Sequence, residues 1–568
     1  MERIWLKNYP PGVPADVDVT QYRSLPELLE DSLRRYAKRD AFIFMEHALT
    51  YAEIDRQSAA FGAWLQGSGL PRGSRVAIML PNVLQYPVAL AGALRAGYVV
   101  VNVNPLYTPR ELEHQLKDSG AEAIVILENF AATLQQVIGR TAVKHVIVTS
   151  LGDLLGFPKS AVVNFAVRRV KHMVPPWSLP GHMSLHDVLE DGLKRTLEPV
   201  ATGPDDVAFL QYTGGTTGVA KGAVILNRNV IANLLQCEAW FEPALHDTSR
   251  GPVPGQFVYV CALPLYHSFA LLVNALFGMR VGAVNVLIAN PRDIHQLVKD
   301  VHRHPFHVLP AVNTLLNALA EDPGFRKLDF SSLRITIGAG MAVHQAVAEK
   351  WLALTGCPVV EAYGLTETSP AATCNPLVGS EWHGTIGLPL PSTEVAIVDD
   401  DGRPLPLGQA GEIAIRGPQV MAGYWQRPDE TAKVMTPDGF FKSGDIGTMD
   451  ERGHVRIVDR KKDMIIVSGF NVYPNEIESV VTLHPGVLEC AAVGVPDERT
   501  GEAVKLFVVR KDPALTEAVL AEYCRQQFTA YKKPKFIEFR EQLPKTNVGK
   551  MLRRALRDET PAEVAKTA

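Results

Sequence analysis

The segment Tyr212-Thr-Gly-Gly-Thr-Thr-Gly-Val-Ala-Lys-Gly222 is the densest glycine and hydroxyl stretch of the chain, and the fold is organised around it. Glycines let a backbone turn its N–H groups inward, and hydroxyl side chains add further donors. Lys221 adds a compact cation. This combination suits a polyphosphate and favours that interpretation over a flexible surface turn.

The segment differs from the phosphate loop of kinases and GTPases, which needs G-x-x-x-x-G-K followed by Ser or Thr. Here Gly222 follows Lys221. Residues 207–211 predict a buried strand that enters the loop. After the loop, residues 223–226 form a short apolar run, and a helix capped near Asn227 follows. The sequence therefore predicts a nucleoside triphosphate site in a different protein setting.

Working outward, helices and strands alternate along both flanks of the loop. Residues 1–150 and about 205–375 carry short apolar runs separated by helical patterns. The predicted strands include residues 76–80, 98–102, 123–127, 145–149, 258–262, 334–337 and 358–360. This alternation predicts an α/β fold with mostly parallel, helix-covered sheets.

The pattern changes after residue 385. Short strands separated by turns over about 386–458 predict a small, β-barrel-like antiparallel unit. A charged run at 459–463 suits a linker, and an α+β pattern follows it. We therefore expect a large domain of residues 1–461 and a smaller, mobile C-terminal domain of residues 462–568, with the boundary at Lys462.

Composition narrows the functional class. The chain has 568 residues, 46% hydrophobic and 21% charged, with a formal net charge of −4, which argues against a general nucleic-acid binder. Its six cysteines form no C-x-x-C pair, which fits free thiols in a reducing compartment and indicates no metal pattern. The first residues lack the apolar region of a signal peptide.

Two segments are apolar or amphipathic enough to be considered for contact with a membrane. Residues 269–289 are apolar but interrupted by Asn274, Arg280 and Asn285, so we expect a buried helix and strand. Residues 162–174 form a basic amphipathic pattern. One face carries Val163, Ala166, Val167, Val170, Met173 and Val174, and the other carries Asn164, Arg168, Lys171 and His172. Such a helix can lie on an anionic membrane, but an ordinary helix packed on the core with a solvated basic face is the favoured interpretation.

Further polar segments follow predicted strands, where ligands of open parallel sheets bind. His267 follows the strand at 258–262, although a histidine there is often structural. Gly338, Ala339 and Gly340 would let a flat group approach the backbone, or would simply allow a tight packing turn.

Residues 361–368 offer an aromatic face for a base at Tyr363, a hydroxyl at Thr366 and a carboxylate for Mg²⁺ at Glu367. Asp445 lies between glycines and suits a ribose diol. Lys550 ends a polar loop at 544–550 and alone would be a solvated lysine. Taken alone, residues 361–368 or the segment around Asp445 are equally consistent with a simple turn.

Together these segments resemble the adenylate-forming superfamily of acyl-CoA synthetases, luciferases and peptide-synthetase adenylation domains. The motifs run in the expected order over essentially the whole chain and comprise YTGGTTGVAKG, YGLTET, SGDIG, DRKKDMIIVSG and PKTNVGK. VVNVNPLYTPRELEHQLKDSGA, PRDI and VSGFNVYPNEIE are similar to bacterial long-chain fatty-acid–CoA ligases. One departure is Lys442-Ser443, where these ligases usually carry His-Thr, so a role for that histidine is in doubt here.

The resemblance implies two steps: a fatty carboxylate attacks the α-phosphate of Mg·ATP to give acyl-AMP and pyrophosphate, and coenzyme A then displaces AMP. It implies a nucleotide site in three parts. The phosphates would be held by Thr213, Gly214, Gly215, Thr216, Thr217, Gly218 and Lys221. Adenine would lie against Gly338, Ala339, Gly340, Glu361, Ala362, Tyr363 and Gly364, and the ribose would be bound by Asp445 and Arg460. Thr366 would contact the α-phosphate, Glu367 would hold Mg²⁺, and His267 would lie at the reacting end.

The resemblance also implies a movable lid. Lys550 would bridge the carboxylate and the α-phosphate in the first step. Lys462 matches the hinge of the family, where the small domain would rotate, withdraw Lys550 and present residues 465–470, Gly469 among them, to the pantetheine arm. One site would then run two reactions by conformational change.

The expected partners are a long-chain fatty acid, ATP and coenzyme A, with Mg²⁺ as cofactor and no nucleic acid. The resemblance implies a cytoplasmic enzyme of fatty-acid metabolism and β-oxidation, with peripheral contact at the inner face of the cell membrane as an option. A medium-chain or aryl acid–CoA ligase and a transferase that loads a carrier protein are alternatives. The chain length accepted, the oligomeric state, a homodimer included, and the regulation are open at this stage.

Overall fold

The computed structural model describes residues 2–213, 220–379, 382–468, 470–497, 499–546 and 551–559. The strands are β1 (Asp40–Phe44), β2 (His47–Thr50), β3 (Arg75–Met79), β4 (Val99–Asn102), β5 (Ala121–Leu127), β6 (His145–Thr149), β7 (Met183–Ser184), β8 (Val207–Thr213), β9 (Lys221–Leu226), β10 (Val258–Cys261), β11 (Val284–Leu287), β12 (Val308–Ala311), β13 (Ile335–Gly338), β14 (Val359–Gly364), β15 (Ala371–Cys374), β16 (Leu388–Pro389), β17 (Glu394–Val398), β18 (Gly411–Arg416), β19 (Gly423–Tyr424), β20 (Phe441–Met449), β21 (Val455–Arg460), β22 (Ile465–Val467), β23 (Phe470–Val472), β24 (Val487–Asp497), β25 (Gly501–Arg510) and β26 (Phe536–Arg540).

The α-helices are α1 (Leu25–Arg35), α2 (Tyr51–Gly67), α3 (Gln85–Arg95), α4 (Pro109–Ser119), α5 (Ala131–Gln135), α6 (Lys159–Phe165), α7 (Leu185–Gly192), α8 (Asn227–Leu245), α9 (Ser268–Ala270), α10 (Phe277–Arg280), α11 (Ile294–Val301), α12 (Asn313–Glu321), α13 (Gln345–Thr355), α14 (Pro428–Val434), α15 (Pro474–Val481), α16 (Glu517–Gln527) and α17 (Arg553–Asp558). Two π-helical turns extend them, Ala166–Val170 after α6 and Leu271–Leu276 between α9 and α10.

Two large sheets form the body of the chain. One has the order β19-β9-β8-β4-β3-β5-β6-β7, and the strands from β8 to β7 run parallel. The other has the order β16-β15-β14-β13-β12-β10-β11-β1-β2, and the strands from β14 to β1 run parallel. The predicted α/β fold with mostly parallel, helix-covered sheets is confirmed.

The carboxyl ends of β3 and β10 meet through one buried amide. Asn82, just after β3, donates from Nδ2 to the carbonyl oxygens of Cys261 and Leu263, each at 2.9 Å. Its Oδ1 accepts from the backbone N–H of Leu265 at 2.8 Å. Because all three polar groups are buried and paired, this junction holds the two sheets with their ligand-binding ends adjacent.

Local signals set the helix ends that flank this region. Thr108 caps α4, its side chain accepts from the backbone N–H of Glu111, and Gly120 in the left-handed conformation ends the helix. The cap expected near Asn227 is displaced by one residue, since Leu226 is the N-cap of α8 and its N–H donates to Asn229 Oδ1 at 2.9 Å.

The third sheet corrects the expectation of a β-barrel-like unit. Its order is β17-β18-β20-β21, all neighbouring pairs are antiparallel, and in the described residues the first and last strands do not pair. Four short strands therefore form an open antiparallel sheet. Its last strand leads directly to the run at 459–463.

A smaller α+β unit follows. Its sheet has the order β23-β22-β25-β24, with β26 parallel to β25, and α15, α16 and α17 lie against it. It has two apolar clusters of its own, one around Leu506 and one around Phe507, on opposite faces of β25. A separate core fits the proposed boundary at Lys462, because a unit with its own core can move as a body.

The apolar tract at 269–289 forms a buried helix, interrupted by the π-helical turn, and the strand β11, as expected. Within the part of the chain that the structure describes, we find no helix whose length and apolar character would let it cross a membrane.

Candidate active site

Several of the expected residues lie outside the described part of the chain. They are Gly214, Gly215, Thr216, Thr217, Gly218, Gly469 and Lys550. The two ends of the glycine-rich loop are described, because Thr213 ends β8, Lys221 begins β9, and these two residues pair across the antiparallel strands. The loop thus connects two adjacent strands of one sheet.

Residues 423–430 lie across the base of this loop, and we call them the strap. Its strand β19 pairs with β9, and Trp425 donates from its backbone N–H to the carbonyl oxygen of Gly222 at 2.8 Å. Arg427 Nη2 lies 2.6 Å from Asp118 Oδ1, and Tyr212 donates its hydroxyl to the other oxygen of Asp118 at 2.7 Å. The strap is therefore attached to the strands on both sides of the loop.

The strap also contacts the loop lysine. Lys221 Nζ forms an ion pair with Glu430 and lies 4.9 Å from the centre of the Tyr424 ring. Hydrogen bonds from Lys221 and then Lys433 lower the pKa of Glu430 to about 2. The lysine is thus held at the loop with a carboxylate as its counter-ion.

Glu367 faces the same tyrosine. It lies in a short 3-10 turn, Thr366–Thr368, and is buried. Tyr424 donates its hydroxyl to Glu367 Oε1 at 2.7 Å, and burial together with this carboxylate raises the pKa of Tyr424. Thr366 Oγ1 lies 3.4 Å from Ser268 Oγ. The turn therefore presents a hydroxyl and an oriented carboxylate side by side.

The donor set at Glu367 fits Mg²⁺. This ion keeps several waters and is commonly held by one or two carboxylates together with substrate phosphates. One buried carboxylate next to a lysine-bearing loop matches that description. Among the described residues no group of three His, Cys, Asp or Glu side chains forms a closed metal cage.

The second cluster joins β14 to β20 and β21. Tyr363 donates its hydroxyl to Asp445 Oδ2 at 2.6 Å, and Arg460 Nε lies 3.3 Å from Asp445 Oδ1. Asp445 and Arg460 face each other in the register of the antiparallel pair. Burial and the Asp445 carboxylate raise the pKa of Tyr363. An aromatic ring, a buried carboxylate and a guanidinium thus converge.

Glu361 lies in β14, two residues before Tyr363. Its Oε1 accepts from the backbone N–H of Val343 at 3.3 Å, while its Oε2 is buried without a hydrogen-bond partner. Burial raises the pKa of Glu361 to about 7. A group that carries a donor would satisfy this oxygen.

The glycines at the ends of β13 and β14 are required by packing. A Cβ at Gly338 would lie 2.4 Å from Val343 Cγ2, and one at Gly364 would lie 1.8 Å from the carbonyl oxygen of Pro370. Gly340 has φ +80°, a conformation that favours glycine. Packing accounts for Gly338 and Gly364, whereas after β13 Ala339 is buried and Gly340 is exposed.

His267 lies where the sequence places it, after β10, as the N-cap of α9. Its Nδ1 accepts from the backbone N–H of Phe269 at 3.4 Å. The next residue is Ser268, which reaches Thr366, so His267 lies beside the turn that carries Thr366 and Glu367. Capping gives it a structural role in addition to any catalytic one.

Lys462 follows β21 in a turn before β22. Both neighbours of Lys462 form ion pairs. Lys461 pairs with Asp400 at 2.7 Å, and Asp463 lies 3.4 Å from Arg553 Nη1. Arg553 also pairs with Glu478 at 2.7 Å. The exposed turn at Lys462 thus lies between ion pairs on the two units, and Arg553 also approaches Asp459, before the turn, at 3.9 Å.

The structure brings the predicted residues into two clusters that share one chain segment. Tyr363, Asp445 and Arg460 form the first, Lys221 and Glu367 belong to the second, and residues 363–367 connect them. Motif reasoning missed Tyr424 and Glu430, which complete the second cluster. Their signal in the sequence was weak, because a tyrosine and a glutamate in GYWQRPDE form no recognisable chemical pattern without the fold.

Comparison with known proteins agrees with this geometry. The chain belongs to the AMP-binding enzyme family, since residues 29–425 match the family and residues 476–550 match the AMP-binding enzyme C-terminal domain. It is 54% identical over 569 residues to the long-chain-fatty-acid–CoA ligase of Escherichia coli O6:H1, covering 100% of both chains. It is 50% identical over 567 residues to that of Haemophilus influenzae, covering 100% of this chain and 99% of the relative.

A solved structure shares the fold. The ATP-bound MatB of Rhodopseudomonas palustris is 28% identical to this chain and superposes with a TM-score of 0.78, over 94% of this chain and 98% of that one.

Proposed function

We propose that this enzyme activates long-chain fatty acids to acyl-CoA through an acyl-adenylate, releasing AMP and pyrophosphate. The observation that carries the proposal is the junction of two clusters on residues 363–367, one suited to a nucleoside and one to its phosphates. The relatives that match the whole chain bear the name long-chain-fatty-acid–CoA ligase.

In the first step, a carboxylate oxygen of the fatty acid attacks the α-phosphorus of ATP, and the bond from that phosphorus to the bridging oxygen of pyrophosphate breaks. Lys221 and the glycine-rich loop hold the leaving phosphates, and Thr366 contacts the α-phosphate. Charge that develops on phosphoryl oxygens is the main demand of this step, and fixed cations and donors meet it. Mg²⁺, when bound, neutralises phosphate charge, and Glu367 is the residue that would hold it.

The nucleoside end is held by the other cluster. Asp445 and Arg460 bind the ribose, Tyr363 lies against adenine, and the unpaired Oε2 of Glu361 lies in the same region. Tyr363 and Arg460 already hold Asp445, so the carboxylate that would bind the ribose is oriented before the nucleotide arrives.

In the second step, the thiol of coenzyme A loses its proton and its sulfur attacks the acyl carbonyl carbon. The bond from that carbon to the phosphate oxygen breaks, and AMP leaves with that oxygen. We propose that the small unit, residues 462–568, rotates about Lys462 between the steps. The first orientation brings Lys550 to the carboxylate and the α-phosphate, and the second brings residues 465–470 to the pantetheine arm.

Acyl-CoA formation across a graded series of acids tests this function. Each buried CH₂ contributes about 0.8 kcal/mol, so four additional carbons give about 3 kcal/mol, on the order of a hundredfold in affinity. We expect kcat/KM to rise from C8 to C16 acids. Highest activity with benzoates or C8 acids and none with C16 would overturn the long-chain assignment. Transfer to a carrier protein without any thioester on free coenzyme A would identify a loading transferase instead.

We also propose peripheral contact with the inner face of the cell membrane, because long acyl chains partition into bilayers and the enzyme must withdraw them from there.

A further inference from the structure

The segment from Phe157 to Met173 presents its apolar side chains to solvent. The exposed fractions are 89% for Phe157, 64% for Val162, 63% for Phe165, 65% for Val170 and 53% for Met173. These residues lie on α6, the π-helical turn Ala166–Val170 and the ends of both. We call this surface the α6 face.

This arrangement differs from the predicted division of the helix into an apolar and a polar face. Asn164, expected on the solvated face, points toward the body of the protein, where its Oδ1 accepts from the backbone N–H of Gly152 at 2.7 Å and its Nδ2 donates to Asp153 at 2.9 Å. Arg168, also expected there, pairs with the buried Glu128 at 2.8 Å. Val167 is buried beside them.

The reason for this orientation is electrostatic. Glu128 is buried, and a buried carboxylate is costly unless a cation and hydrogen bonds satisfy it. Arg168 supplies both, with Nε bonds to each carboxylate oxygen of Glu128 and a further bond to Ser150. Satisfying Glu128 therefore turns Val162, Phe165 and Val170 outward, where they have no apolar neighbour to bury them.

The charge around the α6 face indicates its partner. Residues 154–186 contain four Lys or Arg, namely Lys159, Arg168, Arg169 and Lys171, and no Asp or Glu. Arg168 is neutralised by Glu128, whereas Arg169 and Lys171 are exposed next to the apolar side chains. The nearby acids Asp153 and Glu128 are bonded to Asn164 and Arg168. Exposed aromatic and aliphatic groups bordered by the exposed cations match an anionic bilayer, since the apolar groups enter the acyl boundary and the cations face the headgroups.

We infer that the α6 face is the surface by which this protein docks on an anionic lipid bilayer, with Phe157 and Phe165 as apolar anchors and Arg169 and Lys171 as headgroup contacts. The inference rests on the proposed function in that it assigns the membrane contact to a defined surface. It is separate from turnover, because no residue of either active-site cluster belongs to this face.

Vesicle co-sedimentation of the full chain tests the inference, with phosphatidylcholine vesicles that contain or lack phosphatidylglycerol. We expect the wild type to bind the anionic vesicles preferentially. Phe157→Ser with Phe165→Ser, and separately Arg169→Glu with Lys171→Glu, should each lower the bound-to-free ratio about tenfold or more. Raising the salt concentration should weaken the wild type and leave the charge-reversal variant little changed.

The matched control is Leu407→Ser with Val519→Ser, which removes two exposed apolar side chains from other surfaces and should bind as the wild type does. Acyl-CoA synthesis from a water-soluble acid, measured without vesicles, should be equal in all variants, which shows that each one folds. No synthesis by the wild type would count against the proposed function, and vesicle binding would still be informative.

Three outcomes would overturn the docking assignment. The first is anionic-vesicle binding that the α6-face substitutions leave unchanged. The second is equal binding to neutral and anionic vesicles. The third is loss of self-association in the α6-face variants, seen by analytical ultracentrifugation, with vesicle binding intact, which would identify the face as an interface between copies of the chain.

Discussion

At the scale of single residues, two side chains outside the motifs define how the motif residues are held. Tyr424 orients Glu367 through a 2.7 Å hydrogen bond, and Glu430 holds Lys221 as an ion pair. Tyr424 acts through Glu367 and is a positioning residue in the proposed reaction, whereas Glu430 is the counter-ion of Lys221. Glu361 differs from these two residues, because it is its burial that raises the pKa of its carboxyl.

Tyr424→Phe removes the hydroxyl that fixes Glu367 and keeps the ring over Lys221. A misoriented carboxylate binds Mg²⁺ less well, so we expect the Mg²⁺ concentration for half-maximal acyl-AMP formation to rise about threefold to tenfold. Pyrophosphate exchange titrated with Mg²⁺ measures this. Tyr523→Phe, which removes a hydroxyl bonded to Val480 in the small unit, is the control and should not shift the titration. An unchanged Mg²⁺ requirement in Tyr424→Phe would rule out the positioning role.

Glu361→Gln tests the buried carboxyl through the pH dependence of stability. The pKa of Glu361 is raised from 4.5 to about 7 by burial, so the folded state holds a proton that the unfolded state releases between these values. Wild-type stability therefore decreases as pH rises through this window, by up to about 3 kcal/mol. The variant lacks this titration, so the difference in free energy of unfolding, variant minus wild type, should increase from pH 4.5 to 7.

Urea unfolding at a series of pH values measures that difference. Glu122→Gln is the control of opposite sign, because hydrogen bonds from Lys144 and Ser74 lower the pKa of Glu122, and its contribution is lost as pH falls. A flat difference for Glu361→Gln would show that the pKa of this carboxyl is the same in the folded and the unfolded state, which would contradict the shift caused by burial.

At the scale of elements, the strap completes the cluster to which the proposed function assigns the phosphates. It pairs with β9, reaches Asp118 at the end of α4, and places Tyr424 and Glu430 against the loop lysine. In the proposed reaction, phosphate would exchange with this counter-ion at Lys221.

Glu430→Gln keeps the shape of the strap and removes that counter-ion. We expect the KM for ATP to fall about twofold to tenfold, because Lys221 no longer exchanges a carboxylate for phosphate. Solvent that reaches this partly exposed pair limits the size of the effect. Initial rates of acyl-AMP formation against ATP concentration measure it. Glu321→Gln, which breaks an ion pair with Lys350 on another surface, should leave the KM unchanged. A higher KM in Glu430→Gln would mean that Glu430 positions the lysine and does not compete with the nucleotide.

At the scale of the whole molecule, the two units are joined at a turn beside a cluster of charges. Arg553 on α17 reaches Glu478 on α15, Asp463 in the turn and, at 3.9 Å, the buried Asp459 at the end of β21. Burial raises the pKa of Asp459 to about 6. Any rotation about Lys462 must therefore rearrange contacts that include a guanidinium shared by both sides of the turn.

Lys550→Ala separates the two half-reactions. Without a cation to bridge the carboxylate and the α-phosphate, we expect acyl-AMP formation to slow by at least about a hundredfold. Thioester formation from supplied acyl-AMP should be spared, because Lys550 is withdrawn in that step of the proposed cycle. Single-turnover assays of each half-reaction measure this, with Lys545→Ala in the same loop as control. Equal loss in both half-reactions would contradict the role assigned to Lys550.

Much of this protein was predictable from local sequence. The apolar runs of β3 to β6, the Thr108 cap of α4 and the order of the motifs depend on residues close together in the chain, so periodicity and residue type were sufficient. Candidate residues such as Tyr363, Glu367 and Asp445 were recognisable because each stands in a motif with its own chemistry.

Tertiary structure alone decided how these residues are held. Tyr424 reaches Glu367 across 57 positions of sequence, and Glu430 reaches Lys221 across 209, so neither pairing has a local signal. The open third sheet and the orientation of α6 likewise depend on contacts between distant parts of the chain. In the π-helical turn after α6, Arg168 pairs with the buried Glu128, while Phe165 at the end of α6 stays exposed. Helical periodicity identifies the two faces of a helix, but the partners available in the folded protein determine which one is buried.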